Sequence, residues 1–230
     1  MTSNVLPSDP FLTGKAYSVT QAARLAKTTP QTVRRWLLGY DAPGHHMEPV
    51  FGDPQSASRT NLQVSFLELV EIAVVARWRK LHVKLGRIRA AHEFARKQMF
   101  VPFPFATMDF KILGGHIIHE FEVAEPEPHA GMTAFDVAGQ WALPIPIQEE
   151  LEAIDYGENK FAKNWFPFGR RARIVVDPHY AAGRPIIAGT RITITAIRER
   201  FDAGDGVRKL AQDYGLRTSI VEEVLRLAAA

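Results

Sequence analysis

Residues 28–36 read TTPQTVRRW, Thr28 to Trp36. Thr29 is a residue type that caps helices, accepting a bond from an open N–H of the first turn. Pro30 follows at the first helical position, where its missing N–H costs nothing. From there Val33, Trp36 and Leu37 share one face. Gln31, Arg34 and Arg35 point away from that face, Thr32 lies at its side, and Gly39 ends the helix. Upstream, Ser18 and Gln21 have capping-box spacing. Val19, Ala22, Ala23 and Ala26 recur at helical intervals, and Lys27-Thr28 makes a tight turn. Two helices, a short turn and a polar, basic outer face follow helix-turn-helix logic. Gln can pair with adenine and Arg with guanine through two hydrogen bonds, so this face suits a DNA groove. The plainer alternative is an amphipathic helix pair with a solvated basic face.

The residues downstream support the first reading. Residues 41–61 are rich in Gly and Pro and contain Pro49-Val50-Phe51, a candidate wing strand. Ser65 and Glu68 form a second capping box, predicting a helix through Leu81 with Leu69, Ile72, Ala73, Ala76 and Trp78 among its apolar positions. After a break at His82-Val83, LGRIRAAHEFARK predicts another helix, with Leu85, Ile88, Phe94 and Ala95 on one side. This order over Tyr17 to Met99 resembles the MerR-type winged helix-turn-helix. The resemblance implies a homodimer on palindromic operator double-stranded DNA. It makes Gln31, Thr32, Arg34 and Arg35 the readers and Arg59 a wing contact to phosphate. Where MerR regulators continue into a long dimerisation helix or an effector domain, this chain turns to VPFPFATMDF.

Charge divides the 230 residues further. Residues 14–97 carry net +8 (14 basic, 6 acidic), residues 98–169 carry −8 (3 basic, 11 acidic) and residues 170–230 carry +4 (11 basic, 7 acidic). A basic front suits a phosphate backbone, and an acidic middle is repelled by it. Three units are expected: a winged helix-turn-helix over 14–100, an acidic middle over 101–169 and a tail over 170–230. There is no cysteine, no apolar run of about 18 residues to span a membrane, and no signal-like N-terminus. A cytoplasmic protein without membrane contact is the expectation.

In the middle, Phe105 to Val123 reads as a β-hairpin. Met108, Phe110 and Ile112 alternate with Asp109 and Lys111, and Gly114-Gly115 supplies a turn. His116 and His119 would then face opposite sides, and HIIHE matches neither zincin spacing, so no metal site is expected. His45-His46 reads as exposed wing loop, and Glu149, Glu150, Glu152 and Asp155 as a solvated face. With no P-loop, GxGxxG or GxSxG, neither enzymatic activity nor a cofactor is expected.

The tail opens with NWFPFGRRARIVV (Asn164 to Val176). Pro185-Ile186-Ile187 and Ile192-Thr193-Ile194 flank the turn Ala188-Gly189-Thr190-Arg191 as a hairpin. Three helices come next: Thr195 to Ala203, one capped by Asp205 and stopped by Gly215, and one starting at a Ser219–Glu222 capping box. The last two have helix-turn-helix spacing, but Glu222 and Glu223 would face phosphates, which favours protein contact. The string Gly183, Pro185, Ile187, Gly189, Thr190, Arg191 resembles the signature of a small bacterial domain, formerly of unknown function, found in VapB-type antitoxins. That resemblance covers Ile174 to Leu227. It implies a PIN-like ribonuclease toxin as partner, a hetero-oligomer with it, and repression of the shared operon. A PIN nuclease holds metal ions with clustered carboxylates, and a cation can occupy the metal position. Arg170, Arg171 and Arg173, flanked by Trp165, Phe166 and Phe168, are the candidates, with the aromatics as interface anchors or as core. Arg191 more simply braces its turn. The overall expectation is an α+β fold: a winged helix-turn-helix, a middle unit with a β-hairpin, and a tail of β-hairpin plus three helices. The rival reading is a stand-alone MerR-like regulator sensing a small ligand through its middle region.

Overall fold

A computed structural model describes residues 7–42, 44–51, 62–127, 132–135 and 140–228. The fold is mixed α+β and forms two compact units: Met1–Glu152 with Tyr156–Ala162, and Ala153–Asp155 with Lys163–Ala230.

In the first unit the short helix α1 (Pro10–Thr13) precedes strand β1 (Tyr17–Ser18) and helices α2 (Val19–Leu25) and α3 (Pro30–Leu38). The caps are those expected. Ser18 and Gln21 bond reciprocally, and the Thr29 hydroxyl accepts the Thr32 N–H at 3.1 Å. Lys27 takes a left-handed conformation (φ 55°) to make the turn. Strands β2 (Tyr40–Ala42) and β3 (His45–Met47) come directly after α3 as an antiparallel wing, with Tyr40 opposite Met47. Pro49–Phe51 is not the wing strand. Val50 and Phe51 are buried, and the Val50 N–H is tied to the Trp36 carbonyl at 2.7 Å. Their apolar side chains gain more in the core than on a solvated ribbon. Strand β4 (Gln63–Val64) pairs with β1.

Helix α4 (Phe66–Lys80) is the spine of this unit, begun by the Ser65–Glu68 capping box. Leu67, Leu69, Val70, Ile72, Val74 and Val75 expose nothing, which is the mark of a helix surrounded by other elements. Helix α5 (Leu85–Met99) comes next. Glu68 is held by Lys15, and Glu71 by His92.

Residues 105–123 do not form a hairpin. Met108–Ala124 is one helix, α6, capped by the Thr107 hydroxyl, which accepts the Phe110 N–H at 3.1 Å. Phe110, Ile117, Ile118 and Phe121 are its buried apolar positions, a helical spacing that outweighs the local alternation at 108–112. Gly114-Gly115 is no turn but a close approach. A Cβ on Gly115 would lie 2.3 Å from the Trp141 carbonyl oxygen, and one on Gly114 2.9 Å from a Leu143 methyl. The middle region's β-structure lies elsewhere: β5 (Ala134–Phe135) pairs with β6 (Trp141–Ala142), and β7 (Ile154–Tyr156) with β8 (Ala162–Trp165). Between these pairs in chain order comes α7 (Ile145–Glu152). Its acidic residues are not one solvated face, because Glu150 is 5% exposed and meets Arg77 Nε at 2.6 Å.

In the second unit, β9 (Ile174–Val175) pairs antiparallel with β10 (Ile186–Ile187). The expected 185–187/192–194 hairpin shrinks to one bridge between Ile186 and Thr193. Thr193 turns instead to capping α8 (Ile194–Asp202), accepting the Ala196 N–H. Helices α9 (Val207–Tyr214) and α10 (Thr218–Ala228) complete the unit. The cap of α9 is Gly206, not Asp205, whose carboxylate bonds Arg200 and Lys209. Helix α10 starts before Ser219, so that serine is no cap. Ile174, Ile187, Ile197, Leu210, Ala211, Val221 and Val224 form the core.

Candidate nucleic-acid interface

The inner face of α3 is fixed by Val33, Trp36 and Leu37, each at most 4% exposed. That burial sets which side chains are left outside: Gln31, Arg34 and Arg35 are exposed and Thr32 is half-buried. The Thr32 hydroxyl is engaged with the Thr29 hydroxyl at 2.8 Å, so it stiffens the turn rather than standing open. The Arg35 guanidinium lies over the Tyr40 ring, 4.9 Å from its centroid. This contact orients the cation from the first residue of the wing. On the wing itself exposed His46 meets Asp41 through Nδ1 at 2.7 Å. Arg59 lies outside the described residues.

Sequence reasoning missed Lys27, Arg79 and Lys80. With Arg35, Thr28, Thr32 and Tyr40 they line a cleft of about 420 Å3 beside α3. The residues come from the turn, the wing and the end of α4, so only their cationic type was legible, not their convergence.

Because 105–123 is helical, His116 and His119 are a turn apart rather than on opposite faces. The His119 ring stacks on Trp141 with centroids 3.7 Å apart. Among the described residues no three His, Asp or Glu side chains gather as a metal site, and no helix is long and apolar enough to cross a membrane.

In the second unit the tail candidates separate. Trp165 is 1% exposed and is a core residue rather than a surface anchor. It is clamped by paired backbone bonds with Val176, and so large an apolar ring gains most when wholly buried. Phe168 is partly buried against the core. Phe166 is half-buried beneath the Arg170 guanidinium, at 4.8 Å. Arg170 also meets Asp155 at 2.7 Å, whereas Arg171 and Arg173 are exposed. The signature string builds its turn as a unit. Gly189 has φ 81°, and the Thr190 hydroxyl donates to the Ile187 carbonyl and accepts the Ile192 N–H. Gly183 is buried with φ 72°, and the Pro185 carbonyl accepts the Ile194 N–H. Arg191 lies over the Tyr180 ring, 5.5 Å from its centroid.

Residues 15–92 match the family described as "Putative DNA-binding HTH domain", and residues 174–228 match "Protein of unknown function (DUF433)". The chain is similar to "Putative antitoxin VapB45" of Mycobacterium tuberculosis (strain ATCC 25618 / H37Rv), 21% identical over 225 residues, covering 93% of this chain and 94% of the relative. It is also similar to "Uncharacterized protein Rv2308" of the same organism, 24% identical over 228 residues, covering 94% and 90%. The crystal structure of Rv2018 from Mycobacterium tuberculosis shares the fold, with TM-score 0.75 at 19% identity over 92% of this chain and 97% of that one. One chain thus carries a stretch that matches a helix-turn-helix model and a stretch that matches the DUF433 model, and over 93% of its length it is similar to a protein that bears the name of an antitoxin.

Proposed function

We propose that this protein is a DNA-binding antitoxin. It neutralises a PIN-like ribonuclease toxin encoded beside it, and as a homodimer it binds operator DNA to repress the shared operon. It works in the cytoplasm and has no catalytic activity of its own. One observation carries this reading: a helix-turn-helix with a cationic outer face and a DUF433 domain occur in one chain whose relative over 93% of its length bears the name of an antitoxin. Gln31, Arg34 and Arg35 suit base edges and phosphates. Arg171 and Arg173 are exposed cations able to enter a carboxylate cluster and form charge-assisted hydrogen bonds there.

The test is expression of the neighbouring open reading frame, alone and with this protein, scored by growth and by sizing with mass detection. Neighbour toxicity relieved by this chain, with a stable complex, supports the proposal. A harmless neighbour and no complex overturns it in favour of a stand-alone regulator.

A further inference from the structure

The cleft of about 420 Å3 beside α3 carries four cations on its walls, Lys27, Arg35, Arg79 and Lys80, and among the described residues no acidic side chain lines it. Its polar lining is completed by Thr28, Thr32 and Tyr40. Two of the cations are held in place by uncharged groups: Arg79 donates to the Val83 carbonyl at 2.6 Å, and Arg35 lies over Tyr40. Like charges gathered at a partly desolvated surface repel unless an anion joins them. Lys27 is one of the partly desolvated cations. Its ammonium is held below the usual lysine value, first by desolvation and then by Arg77, with Lys80 adding to the effect and Glu150 opposing it.

We propose that this cleft binds a phosphate group, clamping it between the helix-turn-helix turn and the end of α4. Lys27 and Lys80 supply ammonium donors, Arg79 its remaining N–H groups and Thr28 a hydroxyl. The phosphate comes either from a duplex backbone or from a free phosphorylated molecule, and the volume admits a diphosphate. Only the first source rests on the DNA-binding reading.

The test uses the full chain and a Lys27→Gln/Lys80→Gln variant with unchanged melting. Inorganic pyrophosphate is titrated by amide NMR, and the protein's own promoter duplex by anisotropy at several salt concentrations. Pyrophosphate is expected to move the signals of Lys27, Thr28, Lys80 and Leu85 in the parent protein, with at least tenfold weaker binding in the variant. If the variant also shows a salt slope lower by about 0.9 for each phosphate it no longer neutralises, the phosphate is the duplex's. Unchanged DNA binding alongside the lost pyrophosphate response assigns the cleft to a free phosphorylated ligand. Parent signals that do not move, or an equal response in the variant, overturn the proposal. A parent protein that binds pyrophosphate here but not promoter DNA refutes the DNA-binding function and leaves the cleft standing.

Discussion

Glu71 on α4 and His92 on α5 meet with 2.9 Å between Oε2 and Nε2, and neither side chain is more than 4% exposed. The second carboxylate oxygen accepts the Phe105 N–H at 3.1 Å, and the imidazole stands edge-on to the Phe105 ring with centroids 4.9 Å apart. One buried carboxylate therefore ties two helices to the turn before α6. Glu71→Ala removes the acceptor of a buried imidazole and of a backbone N–H, and should cost about 3–5 kcal/mol. Glu71→Gln keeps one oxygen and should cost less. Thermal or urea denaturation measures both, and an Ala variant as stable as the parent would refute the assignment.

Gly115 has no room for a methyl group, because the obstacle is backbone: the Trp141 carbonyl oxygen at 2.3 Å and Ala142 Cα at 2.7 Å. Gly115→Ala should lose about 1–3 kcal/mol through overpacking, despite alanine's better helix propensity. Gly114→Ala meets only a Leu143 methyl at 2.9 Å and side-chain carbons of Phe110, so it should be milder. The order of the two melting temperatures checks the packing of α6 on β6.

Arg34 is exposed on α3. Arg34→Ala should weaken promoter binding by about 1–3 kcal/mol if it pairs with a base, and leave toxin neutralisation intact. Fluorescence anisotropy and a growth assay read the two arms. Loss of both in a stably folded variant would show that DNA reading and neutralisation are not separate.

Arg171 and Arg173 are exposed, whereas Arg170 is engaged with Asp155 and Phe166. An Arg171→Ala/Arg173→Ala variant should lose protection against the toxin and keep promoter binding. Full protection by that variant would remove both arginines from the inhibitory role. Trp165→Ala should act otherwise, lowering stability by about 3–5 kcal/mol as a core truncation.

Asp205 joins α8 to α9. Its carboxyl is held below the usual aspartate value by Lys209 first and Arg200 next. A folded value below the unfolded one means stability that is present above the unfolded value and lost as pH falls through the folded one. Asp205→Asn should therefore lower the melting temperature at neutral pH, and the gap to the parent should close in acid. A gap that stays constant into strong acid would refute this linkage.

Three helix caps were legible in the sequence because their partners lie within three residues, whereas those expected at Asp205 and Ser219 did not form. Ser18 with Gln21, Thr29 before Pro30, and Ser65 with Glu68 close bonds that no distant element can alter. The outer face of α3 followed from its inner face for the same reason of short-range periodicity, and the Gly189-Thr190 turn is built from its own backbone and hydroxyl. Wherever a residue type serves two purposes, distant partners decided. Gly114-Gly115 signals a turn or a close approach, and Trp141 settled it as the latter. Val50 and Phe51 suit a strand or a core, and both were buried. Trp165 beside arginines suits an interface or an interior, and it was taken inside, while Glu150 was drawn from solvent by Arg77. The cationic cleft is assembled from segments far apart in the chain. Caps and turns are bonds within one turn of backbone, already available to the local sequence. Burial is a property of surfaces brought together, and which surfaces meet is settled only when the whole chain has packed.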